Sequence, residues 1–177
     1  MKKSALVVVI TWLLAPPAHA AQKPEIIHLT AADLAAYHTS LAQLLKQNPN
    51  QTGEVYRQGV SGGVGGSTPL AESNQRSHYL SIVHRGGSSW AESHDQKTDF
   101  YIILEGSGTL ILGGKLGDKI QAEGRPGEWR GPLIRGGKRY QVGKGDLINI
   151  PVKTPHQWDL TDQESITYVI VKIVERD

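Results

Sequence analysis

Glu92, His94 and Asp99 stand close together in W-A-E-S-H-D-Q-K-T-D-F-Y-I-I-L-E-G-S-G, residues 90–108, just before an apolar run that ends at Glu105-Gly106. A histidine with carboxylates on either side, entering a strand, offers the neutral nitrogen and anionic oxygens that a borderline divalent metal prefers. A second histidine, His156, follows about sixty residues later in G-D-L-I-N-I-P-V-K-T-P-H-Q-W. Chemistry at these residues requires that the fold bring the two stretches together.

The elements that must do so are mostly strands. From residue 77 onward, short runs of β-branched and aromatic residues alternate with glycine, the pattern of a sandwich or barrel. The expected strands cover 77–84, 99–104, 109–112, 140–142, 146–150, 156–159 and 166–174. Alternation in the first puts His78, Leu80, Ile82 and His84 on one face and Tyr79, Ser81, Val83 and Arg85 on the other. If the former face points inward, both histidines approach the interior. The last strand, I-T-Y-V-I-V-K-I-V, is apolar on both faces apart from Thr167 and Lys172, and reads as central core. Glu92 and His94 lie two apart and so share a face of an extended strand, as do Asp99 and Tyr101. Tyr101 could donate a hydrogen bond to a substrate or be a satisfied core tyrosine.

Before the strands, Thr30 and Asp33 form a helix start. Leu34, Tyr37, Leu41, Leu44 and Leu45 recur at helical spacing up to Asn48-Pro49, which predicts one amphipathic helix over 31–47 packed on the outside of the strands. His38, beside that stripe, reads as a satisfied or exposed histidine. The glycine-rich run 61–68 lacks both the Lys-Ser/Thr ending of a phosphate loop and the flanking pattern of a dinucleotide site, and reads as a loop. Residues 113–145 form a long polar insertion carrying Arg125, Arg130, Arg135, Lys138, Arg139 and Trp129. It could be a lid meeting an anionic substrate or a solvated surface loop.

Lys2 and Lys3, the apolar run 5–14 and the small-residue site Ala18-His19-Ala20 have the layout of a cleavable signal peptide, residues 1–20. The apolar run is too short to span a bilayer. The expected mature chain is periplasmic or secreted, with no membrane contact after cleavage. A lead-in with the helix would occupy 21–76 and a single barrel domain 77–177. Cleavage removes two of 19 basic residues and none of 17 acidic ones, leaving no formal net charge. That argues against a nucleic-acid partner, which demands a basic footprint. With no cysteine, any metal must be held by histidine and carboxylate.

The spacing of the two histidine stretches resembles the two motifs of the cupins. Six residues separate Asp99 from Gly106, four separate His94 from Asp99, and Glu92 stands two before His94. This gives Glu-x-His for the family's His-x-His and aspartate for its glutamate. In the second motif Gly145, five residues, Pro151, Val152-Lys153, two residues and His156 match, with Lys153 replacing the usual glycine. The resemblance covers roughly residues 77–174. It implies an all-β fold, a single cupin-type double-sheet β-barrel or jelly roll, with His94 and His156 converging at its mouth. It also implies a divalent metal held by His94, His156 and one or both of Asp99 and Glu92. Glu92 in a histidine's place makes the site harder, favouring Mn, Fe(II) or Zn over copper. A degenerate cupin that keeps the two histidines as pocket polar groups is the alternative. The expected function is an exported metal-dependent enzyme acting on a small organic molecule by dioxygenase- or isomerase-type chemistry, with Tyr101 as a catalytic candidate. The other reading is a non-catalytic small-ligand- or metal-binding cupin. Because many cupin barrels pair through their sheets, a homodimer is also expected, unless the helix covers the edge strand.

Overall fold

The computed structural model describes residues 28–47, 55–59, 78–160 and 165–175. The expected signal peptide and the glycine-rich run 61–68 lie outside them. Helix α1 (Ala31–Gln47) is followed by β1 (Val55–Gly59), β2 (His78–Arg85), β3 (Ala91–His94), β4 (Lys97–Leu112), β5 (Lys115–Leu116) and β6 (Ile120–Gln121). Then come β7 (Glu128–Gly131), β8 (Ile134–Arg135), β9 (Lys138–Gly143), β10 (Leu147–Ile150), β11 (His156–Asp159) and β12 (Ile166–Val174).

Strand β4 organises the barrel. Its first half pairs with β12 on one side and β10 on the other, and β12 continues to β2 and β1. Its second half pairs with β9 and β11, and β11 continues through β3 and β7 to β6. One sixteen-residue strand therefore serves two antiparallel sheets. The change of sheet falls at Gly106, whose φ of 82° is open to glycine, and a Cβ there would lie 1.9 Å from the Ser165 carbonyl oxygen. The register of β12 against β4 shifts nearby, between Thr167 and Tyr168. The two strands expected over 99–104 and 109–112 are thus one strand, bent rather than ended at its glycine.

The inner faces of the two sheets meet in a core that includes Val83, Tyr101, Ile103, Leu110, Trp158 and Tyr168. Three rings form its centre. Tyr101 lies 4.9 Å from Tyr168 and 6.0 Å from Trp158 between centroids, and Trp158 lies 5.4 Å from Tyr168. Each such pair adds about 0.5–1.5 kcal/mol beyond its buried area.

Val83 belongs to this core, so in β2 the face of Ser81 and Val83 points inward. The face carrying His78 and His84 therefore points away from the barrel interior, opposite to the placement that would bring both histidines near a site. His78 is exposed, and His84 is buried on the side where α1 packs against β2 and β1. The helix begins with a reciprocal cap: Asp33 N donates to Thr30 Oγ1 at 3.2 Å, and Thr30 N donates to Asp33 Oδ2 at 2.8 Å. His38 of α1 and His84 of β2 each place Nδ1 against Thr167 Oγ1, at 2.7 and 2.8 Å. A hydroxyl has one proton to give, so it donates to one ring and accepts from the other.

The insertion 113–145 folds as strands. β6 and β7 extend the sheet beyond β3, β5 and β8 form a small ribbon, and β9 pairs along β4. Trp129 anchors it by donating Nε1–H to Asp95 Oδ2 at 2.9 Å, with Lys119 Nζ 3.7 Å from the ring centroid. The basic side chains Arg130, Arg135, Lys138 and Arg139 are exposed.

Candidate metal centre

Cross-strand register brings the predicted residues together. Glu92 of β3 sits directly opposite His156 of β11, and His94 sits opposite Glu128 of β7. The segment before β11 is tied to β3 by its backbone: Lys153 N donates to the His94 carbonyl at 2.6 Å. Lys153 takes φ of 60°, the left-handed conformation expected of a glycine at that motif position. Asp99 and Tyr101 enter from β4, on the inward face that Ile103 continues.

Glu92, His94, Asp99 and His156 each offer a ligand atom, and these four atoms lie within 4.8 Å of one another. The imidazole centroids are 5.2 Å apart. Asp99 is fully buried at 0 % exposure, His94 and His156 are buried at 3 %, and Glu92, at 30 %, is the member that meets solvent.

Each imidazole turns its Nδ1 toward an oxygen outside the cluster and its Nε2 inward. His156 Nδ1 donates to the Thr154 carbonyl at 3.0 Å, which fixes the proton on Nδ1. Its Nε2 has no hydrogen-bond partner and lies 3.4 Å from Glu92 Oε1 and 3.5 Å from Asp99 Oδ2. His94 Nδ1 faces Glu128 Oε2 at 2.7 Å, close enough for an ion pair although not aligned as a hydrogen bond. Lys97 Nζ donates to the other oxygen of Glu128 at 2.8 Å. This is the arrangement by which a carbonyl or carboxylate orients a metal-binding imidazole. A buried imidazole nitrogen without a hydrogen-bond partner, facing two carboxylates, marks a place that fits a divalent cation.

Electrostatics hold the carboxylates ionised. Burial works to raise the Asp99 pKa, but the charge of Lys172 and the adjacent imidazoles of His156 and His94 outweigh it, and the pKa falls well below the usual range. Glu92 is likewise lowered, against its desolvation, by His156 and by the charges of Lys172 and His94. His156 is raised to about 9, because Asp99 and Glu92 overcome the burial that would lower it. Without a metal the cluster thus draws a proton onto His156, a cation where a cation is wanted. Tyr101 donates its hydroxyl to Asp99 Oδ2 at 3.2 Å, and burial followed by the Asp99 charge pushes its pKa well up. Its proton is committed to orienting Asp99.

Three functional side chains escape the sequence reading. Lys172 of β12, placed above with the core, is 4 % exposed and inside the site. Its Nζ donates to Asp99 Oδ1 and Oδ2 at 2.5 and 2.6 Å and to His94 Nε2 at 2.7 Å. The signal was present: counting in twos from Tyr168 and Ile170 reaches Lys172, and a lysine is almost never buried unless paired. Glu128 and Lys97 carried no comparable signal, since the pairing of β7 with β3 is not written in any local pattern. His84, by contrast, lies with His38 and Thr167, away from the cluster.

No family model matches the sequence. Solved structures similar to the chain include a cupin-2 domain protein of Rhodospirillum rubrum, at 22 % identity and TM-score 0.44, covering 70 % of this chain and 62 % of that one. The FeII form of HppE matches at 14 % identity and TM-score 0.40, over 55 % of this chain and 44 % of that one. The polyketide cyclase RemF of Streptomyces resistomycificus matches at 18 % identity and TM-score 0.44, over 72 % of this chain and 71 % of that one. The chain thus spans less than two thirds of the length of the first two. The described residues form a double-sheet antiparallel jelly roll with one helix, and a cluster of histidine, glutamate and aspartate that could hold a metal ion.

Proposed function

From a cupin-type barrel with two inward imidazoles and two carboxylates at one place, we propose an exported, metal-dependent enzyme acting on a small organic molecule. The observation that carries this reading is the partnerless Nε2 of His156, buried between Glu92 and Asp99 while its Nδ1 is tied to the Thr154 carbonyl. His94, His156 and Asp99 would hold Mn, Fe(II) or Zn. When bound, such an ion supplies Lewis acidity or, as Fe(II) or Mn, dioxygen chemistry at open coordination positions.

The residues divide their work by exposure. Asp99, fully buried and held by Tyr101 and Lys172, is suited to a fixed ligand. Glu92, partly open to solvent and ionised, would meet the organic molecule and accept a proton at its carboxylate. Export rests on the amino-terminal pattern of Lys2, Lys3, the apolar run and Ala18-His19-Ala20.

The purified protein, reconstituted with Mn, Fe(II) or Zn, should bind one ion per chain. His94→Ala and His156→Ala should abolish stoichiometric binding while circular dichroism shows the fold intact. Glu92→Gln should keep the metal and lose roughly 100-fold or more in turnover across a substrate panel. A wild-type protein that takes up none of these ions overturns the reading.

A further inference from the structure

We infer that Lys172 is a resident cation of this site, and that its ammonium and a divalent metal are alternative occupants of one place. The inference rests on the metal reading above. It starts from register: Lys172 on β12 is directly opposite Asp99 on β4, so two charged side chains enter the barrel interior as cross-strand neighbours. The stem of Lys172 continues the inward face of Tyr168 and Ile170, both in the core, and delivers the ammonium to the cluster rather than to solvent.

What the ammonium touches is what a metal would need. An ammonium has only donors, so its 2.7 Å contact with His94 Nε2 uses the lone pair that would ligate an ion. Its contacts at 2.5 and 2.6 Å use both oxygens of Asp99. Two of the four candidate ligands are therefore satisfied by Lys172, and the remaining two, His156 Nε2 and Glu92, are the ones left without a hydrogen-bonded cation. A divalent ion drawn to His94 Nε2 and Asp99 would compete with Nζ for the same lone pairs and repel its charge. Entry of the ion requires the ammonium to withdraw, so Lys172 sets the metal affinity. It also lets the barrel fold with no metal, since a buried Asp99 already has its counter-charge.

The test compares wild type, Lys172→Met and His156→Ala by equilibrium dialysis against Mn(II) and Zn(II), and by thermal unfolding with and without EDTA. Lys172→Met keeps the stem and removes the charge, and is expected to bind both ions at least tenfold tighter than wild type. Without metal it should melt roughly 5–15 °C lower than wild type, and Zn(II) should restore more of its stability than it adds to wild type. If Lys172→Met folds only when refolded with Zn(II), while wild type refolds in EDTA, the inference is equally supported. Binding by Lys172→Met no tighter than wild type overturns it, and leaves the metal reading standing if His156→Ala has lost the ion. Absence of binding in both wild type and Lys172→Met overturns the two together.

Discussion

Lys153 occupies a left-handed backbone position, φ 60°, directly before Thr154, whose carbonyl holds the His156 ring. A side chain there costs about 1 kcal/mol relative to glycine. Lys153→Gly is accordingly expected to raise unfolding free energy by about 0.5–1 kcal/mol in a urea titration, and Lys153→Val to lower it by at least as much. Glu128 is not among the four candidate ligands and acts on the site through His94 Nδ1. Glu128→Gln removes the charge that keeps Nε2 basic and should weaken Zn(II) affinity roughly tenfold, as measured by competition with a chromophoric chelator. At this scale the four metal-binding candidates were legible because their spacings to Gly106 and Gly145 follow a motif. Lys172 was legible only by parity, and apolar residues on both faces of its strand hid the alternation that would have announced it. Glu128 was not legible at all, because its place depends on which strand β7 joins.

Among the elements, β4 carries the heaviest constraint, since one strand must turn from one sheet into the other at Gly106. Gly106→Ala would place a methyl group against the Ser165 carbonyl at a φ of 82°. The expected loss is about 2–4 kcal/mol by chemical denaturation. The sequence marks that glycine clearly, yet a glycine between apolar runs reads the same whether a strand ends or bends, which is why two strands were expected. The side of β2 that faces inward was equally undetermined, because His78–Arg85 offers bulky residues on both faces and α1 buries the outer one.

The packing of α1 on β2 also makes stability depend on pH. Burial, and then the neighbouring His38, lower the His84 pKa from 6.5 to about 4. The unfolded chain therefore binds more protons than the folded one between those values. The contribution of His84 is fully present above pH 6.5 and falls as pH drops to about 4, by on the order of 2 kcal/mol after allowance for solvent screening. His156, whose raised pKa favours the fold as pH falls, acts in the opposite direction in both proteins, so denaturant titrations at pH 7.5 and 4.5 should show wild type losing clearly more stability than His84→Gln. Equal losses would remove His84 as the cause.

For the whole molecule, the barrel gathers a cluster of charged side chains beside the aromatic core of Tyr101, Trp158 and Tyr168, with Arg85 buried apart from it at the other end of β2. Asp99, Glu92 and Glu128 bring negative charge, and Lys172, Lys97 and a protonated His156 answer it. Such a balanced cluster is costly to bury for stability alone, since apolar residues of similar volume would serve as well. Its converging lone pairs are what an ion requires. The most direct measurement of that claim is anomalous diffraction at the zinc edge from crystals saturated with Zn(II). The account predicts a single peak bonded at about 2.0–2.1 Å to Nε2 of His94 and of His156, with a carboxylate oxygen of Asp99 completing the set and Lys172 Nζ displaced from its present contacts. A zinc-saturated crystal with no peak between those two imidazoles, and with Lys172 still on Asp99 and His94, would contradict it.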